Sequence, residues 1–322
     1  MSDDESTDIN DTDESAAVGV KLGSTRTVLD VPDGRGGRER HSVLTCLATY
    51  EDAITGEEKV LFGEEAAVEY PDRVRFMLRS GLPEDDDSVA GAERFFEAVV
   101  DAHDVPEDSA VVYAVPTIDN EAGVENLKSV IEGSAIGGIE TRSYPESLCG
   151  AIPAYGEQLS PFSTGSVTGN EVDRRIVAAV EEESQGRVHI DRTTAREYKE
   201  EHADVYDFEP FTDVIQQPGG GSHEFTVDRG VREPVDRYID EAADIVANEF
   251  LPELANDHMK PYQLALGRPI AATGGMACIP GLTEEFEKRL SDELDRDVEV
   301  VSPDDPATAA AEGAARIAAR LV

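Results

Sequence analysis

The sequence predicts an α/β protein of about two domains. Three observations carry this. Ala110–Pro116 is a continuously apolar strand, as expected of a strand buried on both faces of a parallel sheet. A helical stretch and a second short strand follow it, which is the βαβ pattern. Near the other end, Gly267–Leu282 (GRPIAATGGMACIPGL) reads as strand, glycine turn and helix. The 322 residues leave room for a sizeable core in each domain.

The charge balance narrows the function classes. There are 69 acidic residues against 28 basic ones, a formal net charge of −41, and Arg outnumbers Lys. Such a balance repels nucleic acid and anionic lipid. Recurring apolar runs favour a folded protein with an acidic surface, as in salt-loving cytoplasms, over a disordered one. The three cysteines, Cys46, Cys149 and Cys278, are far apart and lack metal-ligand spacing, which suits a reduced interior. No segment reads as a signal peptide or a bilayer span, so a cytoplasmic protein without membrane insertion is expected.

In chain order, residues 1–16 are acidic and aperiodic and predict a disordered tail. Ala17–Leu29 predicts a hairpin turning at Gly23-Ser24-Thr25-Arg26. Small residues and open N–H groups at such a turn can cradle phosphate; an ordinary hairpin is the alternative. Ser42–Tyr50 predicts one further strand, and Val60–Ala67 a strand running into a helix. Glu84–Asp87 predicts an acidic loop before a helix over Ala90–His103, with its apolar face at Phe95, Phe96, Val99 and Val100. After the strand at Ala110, a helix is expected from Asn120 until Gly137-Gly138 ends it. Ile139–Ser143 predicts the next strand and Pro145–Tyr155 another helix.

Val205–Val227 predicts hairpin structure, with Gly219-Gly-Gly-Ser222 as a flexible tip. Val231–Phe250 predicts one long amphipathic helix. In the terminal stretch, Ile270–Ala272 is a short strand. Gly274 and Gly275 let a flat ligand or a phosphate approach the backbone, where a Cβ would collide; a plain strand-to-helix turn is the alternative. Thr283 with Glu284 and Glu285 reads as the cap and acidic first turn of the next helix.

Seven segments, in order from Val18 to the end, resemble the actin-like ATPase superfamily of actin, MreB and the heat-shock chaperone ATPase domain. The archaeal MreB-like members fit best. VGVKLGSTRT (Val18–Thr27) resembles the first phosphate loop. VLFGEEA (Val60–Ala66) resembles an MreB segment, and AVVYAVP with PESLCGAIPAYG (Pro145–Gly156) the first connecting segment. GSVTGNEVDRRI (Gly165–Ile176) resembles the start of the second lobe, and RTTAREYK (Arg192–Lys199) the helix that touches the nucleoside. AATGGMACIPGL (Ala271–Leu282) resembles the adenosine loop, and PDDPATAAAEGAARIA (Pro303–Ala318) the second connecting segment.

The resemblance implies a two-lobed actin-like fold, a duplicated ribonuclease H-like unit with a central nucleotide cleft. The first lobe is expected over residues 17–156 and the second over 157–302, with 303–322 returning as a helix to the first lobe. It implies ATP with magnesium as cofactors. Gly23, Ser24, Thr25 and Arg26 would meet the phosphates. Arg196, Glu197 and Lys199 would lie on the nucleoside helix, and Gly274, Gly275, Met276 and Ala277 would back the nucleoside. Arg196 and Lys199 share a helix face, whereas Glu197 lies about 100° from Arg196. Glu125 stands where MreB proteins carry the glutamate that positions the attacking water.

Two positions depart from the family pattern. Lys21 replaces the aspartate that opens the first phosphate loop and holds waters around magnesium. A lysine can reach phosphate as a point charge, but it repels the metal. The second phosphate loop should lie between Gly156 and Gly165, where Glu157–Thr164 is too short for it. These departures leave ATP hydrolysis open. The expected function is an MreB-like, ATP-dependent filament former that self-associates. A catalytically degenerate actin-like scaffold is the second reading. A chaperone-type ATPase is a third, with no room for a peptide-binding domain after Val322. No sugar-kinase site motif is present.

Overall fold

The computed structural model describes residues 16–78, 81–116, 120–138, 140–155, 169–216 and 221–322. The expected acidic tail, except Ala16, lies outside them, as do Glu157–Thr164 and the glycines at 219 and 220. The hairpin at the start of the described chain comprises β1 (Ala17–Leu22) and β2 (Arg26–Pro32), which pair antiparallel with Lys21 opposite Val28. β3 (Arg38–Leu44) extends the sheet beyond β2.

The single strand expected over Ser42–Tyr50 is instead two. The chain leaves β3 at Thr45, and β4 (Leu47–Glu51) pairs with β5 (Glu58–Phe62) in a separate sheet. The Thr45 N–H donates to the Thr25 carbonyl at 2.8 Å, and the Thr27 and Thr45 hydroxyls meet at 2.9 Å. The break is invisible in sequence because the run is apolar on both sides of it. β5 leads into α1 (Gly63–Glu69).

α2 (Asp86–Ala102) begins earlier than expected. The Asp85 carboxylate accepts the Ser88 N–H at 2.7 Å, so the acidic run is a helix cap and first turn rather than a loop. Carboxylates there satisfy open N–H groups and the helix dipole. Phe95, Phe96, Val99 and Val100 are buried, each contributing on the order of 1.5–3 kcal/mol. They pack under β6 (Ala110–Val115), which runs parallel to β1. α3 (Glu121–Glu132) is capped by the Asn120 side chain and stops at Gly133, before the expected glycine pair. A 3₁₀ turn at Ala135–Gly137 leads to β7 (Glu140–Pro145), parallel to β6. The five-stranded sheet therefore has the order β3-β2-β1-β6-β7.

α4 (Glu146–Tyr155) follows directly. The second lobe has its own core, built by α5 (Gly169–Glu183), α6 (Arg192–His202), the hairpin of β8 (Phe211–Gln216) and β9 (Ser222–Val227), and α7 (Arg229–Asp244). Val172, Ile176, Val180, Val231, Val235 and Ile239 interlock there. The long helix expected to Phe250 is not uniform: α7 widens into a π turn at Ile245–Phe250 and continues as α8 (Leu251–Asp257). Pro252 has no N–H for the carbonyl four residues back, and the wider turn accommodates that loss.

α9 (Met259–Ala265) precedes β10 (Ile270–Ala271). α10 (Leu282–Leu294) is capped by Gly281 at φ +76°, not by Thr283, because the left-handed turn starts the helix two residues earlier. β11 (Val300–Val301) pairs parallel with β10.

The last helix, α11 (Ala309–Ala318), packs on β1 and α4. Its approach is close enough to need glycine on both sides. A Cβ at Gly19 would stand 2.1 Å from the Ala311 carbonyl oxygen, and one at Gly313 1.8 Å from that of Cys149. Among the described residues no helix is long and apolar enough to cross a membrane.

Candidate functional site

The turn between β1 and β2 meets α6 through Arg26 and Glu200. Gly23 closes the turn by donating its N–H to the Arg26 carbonyl at 3.2 Å. A Cβ at Gly23 would lie 2.5 Å from that same oxygen, so the turn requires glycine. Ser24, Thr25 and Arg26 are partly exposed at its tip. The Arg26 guanidinium reaches Glu64 of α1 at 2.8 Å and Glu200 of α6 at 3.5 Å. One cation thus links the β1–β2 turn to α1 and α6.

Asp191 caps α6 by accepting the Thr194 N–H at 2.8 Å. The 3.6-residue repeat then buries Ala195, Arg196, Tyr198 and Lys199 and leaves Glu197 and Glu200 exposed. Arg196 stands 3.8 Å from Glu200, so Glu200 lies between Arg26 and Arg196. The Lys199 ammonium is engaged elsewhere. It lies 2.5 Å from Asp173 of α5, both side chains less than a tenth exposed, and 3.4 Å from the Gly169 carbonyl. Burial pushes the Asp173 carboxyl up, and the Lys199 ammonium opposes that shift. The pair joins α5 to α6 rather than offering a free cation.

After β10 the chain turns at Gly274, where φ is +91° and the N–H donates to the Pro306 carbonyl at 2.7 Å. A 3₁₀ turn, Gly275–Cys278, follows. Gly275 is exposed and Ala277 partly so, while Met276 is buried in the second-lobe core and packs near Gly169. A Cβ at Gly274 or Gly275 would meet nothing within 4 Å, so both glycines border open space. Cys278 ends the turn, exposed, in the electrostatic field of Asp305, Glu200 and Lys21. The lobes also touch where Gly150 of α4 fits against Thr273; a Cβ there would lie 2.7 Å from the threonine hydroxyl.

The structure therefore brings the Gly23–Arg26 turn together with α6 through Glu200, and Lys199 with Met276 around Gly169. Glu125 stands apart. It lies on the exposed face of α3, and its carboxylate pairs with Lys128 of the same helix at 3.6 Å. Sequence reasoning missed Glu64, Glu146, Asp173 and Glu200. Glu200 carried a usable signal, being four residues beyond Arg196 on a helix. The other three act across long sequence separations and carried none.

The Lys21 side chain lies along the hairpin turn, its Cε 3.5 Å from where a Gly23 Cβ would be. Its ammonium pairs with Glu146, the first residue of α4, at 2.6 Å. Among the described residues no group of three or more His, Cys, Asp or Glu side chains could hold a metal ion. An ammonium at the mouth of the turn, already holding the nearest carboxylate, does not fit a magnesium site.

Comparison with known proteins decides the family. The salactin family model matches residues 15–160 and 154–322. Salactin from Halobacterium salinarum is 55% identical over 338 aligned residues, covering 96% of this chain and 93% of the relative. The chain belongs to the salactin family. Among solved structures, the MamK double helical filament matches with TM-score 0.75 at 18% identity, covering 94% of this chain and 98% of that one. MreB5 of Spiroplasma citri bound to ADP matches with TM-score 0.71 at 16% identity, covering 93% and 95%. At these identities the structural matches establish the fold: two-lobed and actin-like, as the sequence motifs implied.

Proposed function

We propose that this salactin-family protein is a cytoskeletal nucleotide-binding protein that assembles into ATP-dependent filaments. The observation that carries the reading is the Arg26–Glu200 bridge from the Gly23–Arg26 turn to α6, with Cys278, at the end of the open glycine segment, in the electrostatic field of both Glu200 and Lys21. The turn supplies N–H groups, hydroxyls and a guanidinium, a set suited to polyphosphate. The open glycines leave room for a flat base and ribose.

The solved relatives support the same reading. MamK is seen as a double helical filament, and MreB5 bound to ADP and, in another structure, to AMPPNP. In this chain the nucleotide would bridge the lobes and favour the closed arrangement, which is the one that polymerises. Glu125 is the proposed water-positioning residue. Its pairing with Lys128 on the exposed face of α3 requires that closure bring it to the cleft.

The test is sedimentation and electron microscopy at molar potassium chloride, with and without ATP. Filaments that appear only with ATP support the proposal. Filaments indifferent to nucleotide indicate a scaffold that has lost the switch, and a monomer under every condition overturns the proposal.

A further inference from the structure

β1 alternates cleanly. Val18, Val20 and Leu22 enter the first-lobe core, whereas Gly19 and Lys21 face α4 and α11. Lys21 is thereby placed on the side of the sheet where α4 begins. Glu146 occupies the first turn of α4, where the helix dipole favours a carboxylate. The two charges meet at 2.6 Å with side chains only 16% and 32% exposed. Across the turn, the Arg26 guanidinium is held by Glu64 and Glu200. Two fixed cations therefore flank Gly23–Thr25, one on each side.

Two carboxylates beside the turn are already committed: Glu64 holds Arg26, and Glu146 holds Lys21. A divalent cation needs hard oxygen ligands and keeps a shell of water. Here it would face the Lys21 ammonium at close range, with twice the repulsion of a monovalent ion. A phosphate oxygen finds the opposite situation: an ammonium and a guanidinium already in place, needing only to exchange a carboxylate for it.

We infer that the cleft takes a metal-free nucleoside polyphosphate, with Lys21 and Arg26 supplying the countercharge that a divalent ion would otherwise bring. This inference rests on the nucleotide-binding reading above. Lys21 is then a specificity-determining residue, selecting the free polyphosphate over its metal complex.

The experiment is an equilibrium titration of the full chain with ATP at molar potassium chloride, in excess EDTA and again in millimolar magnesium. The expected result is a dissociation constant that differs by less than about three-fold between the two. Lys21→Met should weaken binding by about ten-fold or more in both buffers. Lys21→Asp should bind at least ten-fold more tightly with magnesium than with EDTA, since a carboxylate then stands where water around a metal can be held. Ten-fold weaker binding of the unaltered protein in EDTA overturns the inference and leaves the nucleotide reading intact. No ATP binding in either buffer overturns both. If Lys21→Asp does not fold, the titration of the unaltered protein decides alone.

Discussion

Gly275 gives a clean test of whether a ligand lies against the glycine segment. Gly274 is the obvious target but a poor one, because its φ of +91° strains any residue with a side chain. Gly274→Val should cost roughly 1–3 kcal/mol of stability from backbone strain alone. Gly275 has no such constraint: its φ lies outside the left-handed region, and a Cβ would meet nothing within 4 Å. Gly275→Val should therefore alter stability by less than about 1 kcal/mol. In the bound state its methyl groups would intrude on the nucleoside. An overlap costing about 1.4 kcal/mol is a ten-fold loss of affinity, and two methyl groups should cost at least that. The assay pairs denaturant unfolding with ATP titration, both at molar potassium chloride. A folded Gly275→Val variant that binds ATP within two-fold of the unaltered protein would show that the glycines do not face the ligand.

Three further outcomes follow from buried contacts. Gly313→Val drives a side chain into the Cys149 carbonyl and should destabilise the chain by about 3 kcal/mol or more, read as a lowered unfolding midpoint. Lys199→Met leaves the Asp173 carboxylate buried without its cation and should cost about 3–5 kcal/mol near neutral pH. That folded carboxyl titrates above its unfolded value, so the deficit should shrink as pH falls and Asp173 takes up a proton; a deficit constant with pH refutes this. His103 stacks on His41 at 4.0 Å, and burial, then His41, holds its imidazole below the ordinary value of 6.5, against the pull of Glu39 and Asp104. A depressed histidine favours the neutral form, so its contribution is present above about pH 6.5 and is lost as pH falls below that value. His103→Gln should flatten the pH dependence of the unfolding midpoint between about pH 6.5 and 5 relative to the unaltered protein.

The elements legible in sequence were those whose packing follows a local period. Ala110–Val115 is apolar throughout because it lies between β1 and β7, and Phe95, Phe96, Val99 and Val100 repeat with the turns of α2. The boundary between β3 and β4 was hidden because the chain changes sheets inside an apolar run, and nothing in alternation marks a change of partner. The acidic run before α2 was misread because charge alone does not separate a loop from a cap; Asp85 three residues before Ser88 was the available clue. At the site, the glycines and Arg26 could be picked out because backbone approach and charge are properties of single residues. The partners Glu64, Glu146 and Asp173 could not, because each meets its cation across more than 20 positions or between elements whose relative placement only the fold defines.

The central claim is that nucleotide occupies the cleft between the Gly23–Arg26 turn and the Gly274–Cys278 segment. Cys278 reports on it directly. Cys46 and Cys149 are buried, and burial pushes both thiols up to about 12, so Cys278 is the exposed thiol of the native chain. Its own thiol is also raised by burial, which calls for labelling at mildly alkaline pH. The measurement is the rate of Cys278 alkylation at molar potassium chloride, with and without saturating ATP, located by peptide mass spectrometry. The cleft assignment predicts at least a five-fold slowing by ATP, and none by an equal concentration of inorganic sulfate. An unchanged rate in protein shown by titration to be saturated with ATP would place the nucleotide elsewhere and contradict the account.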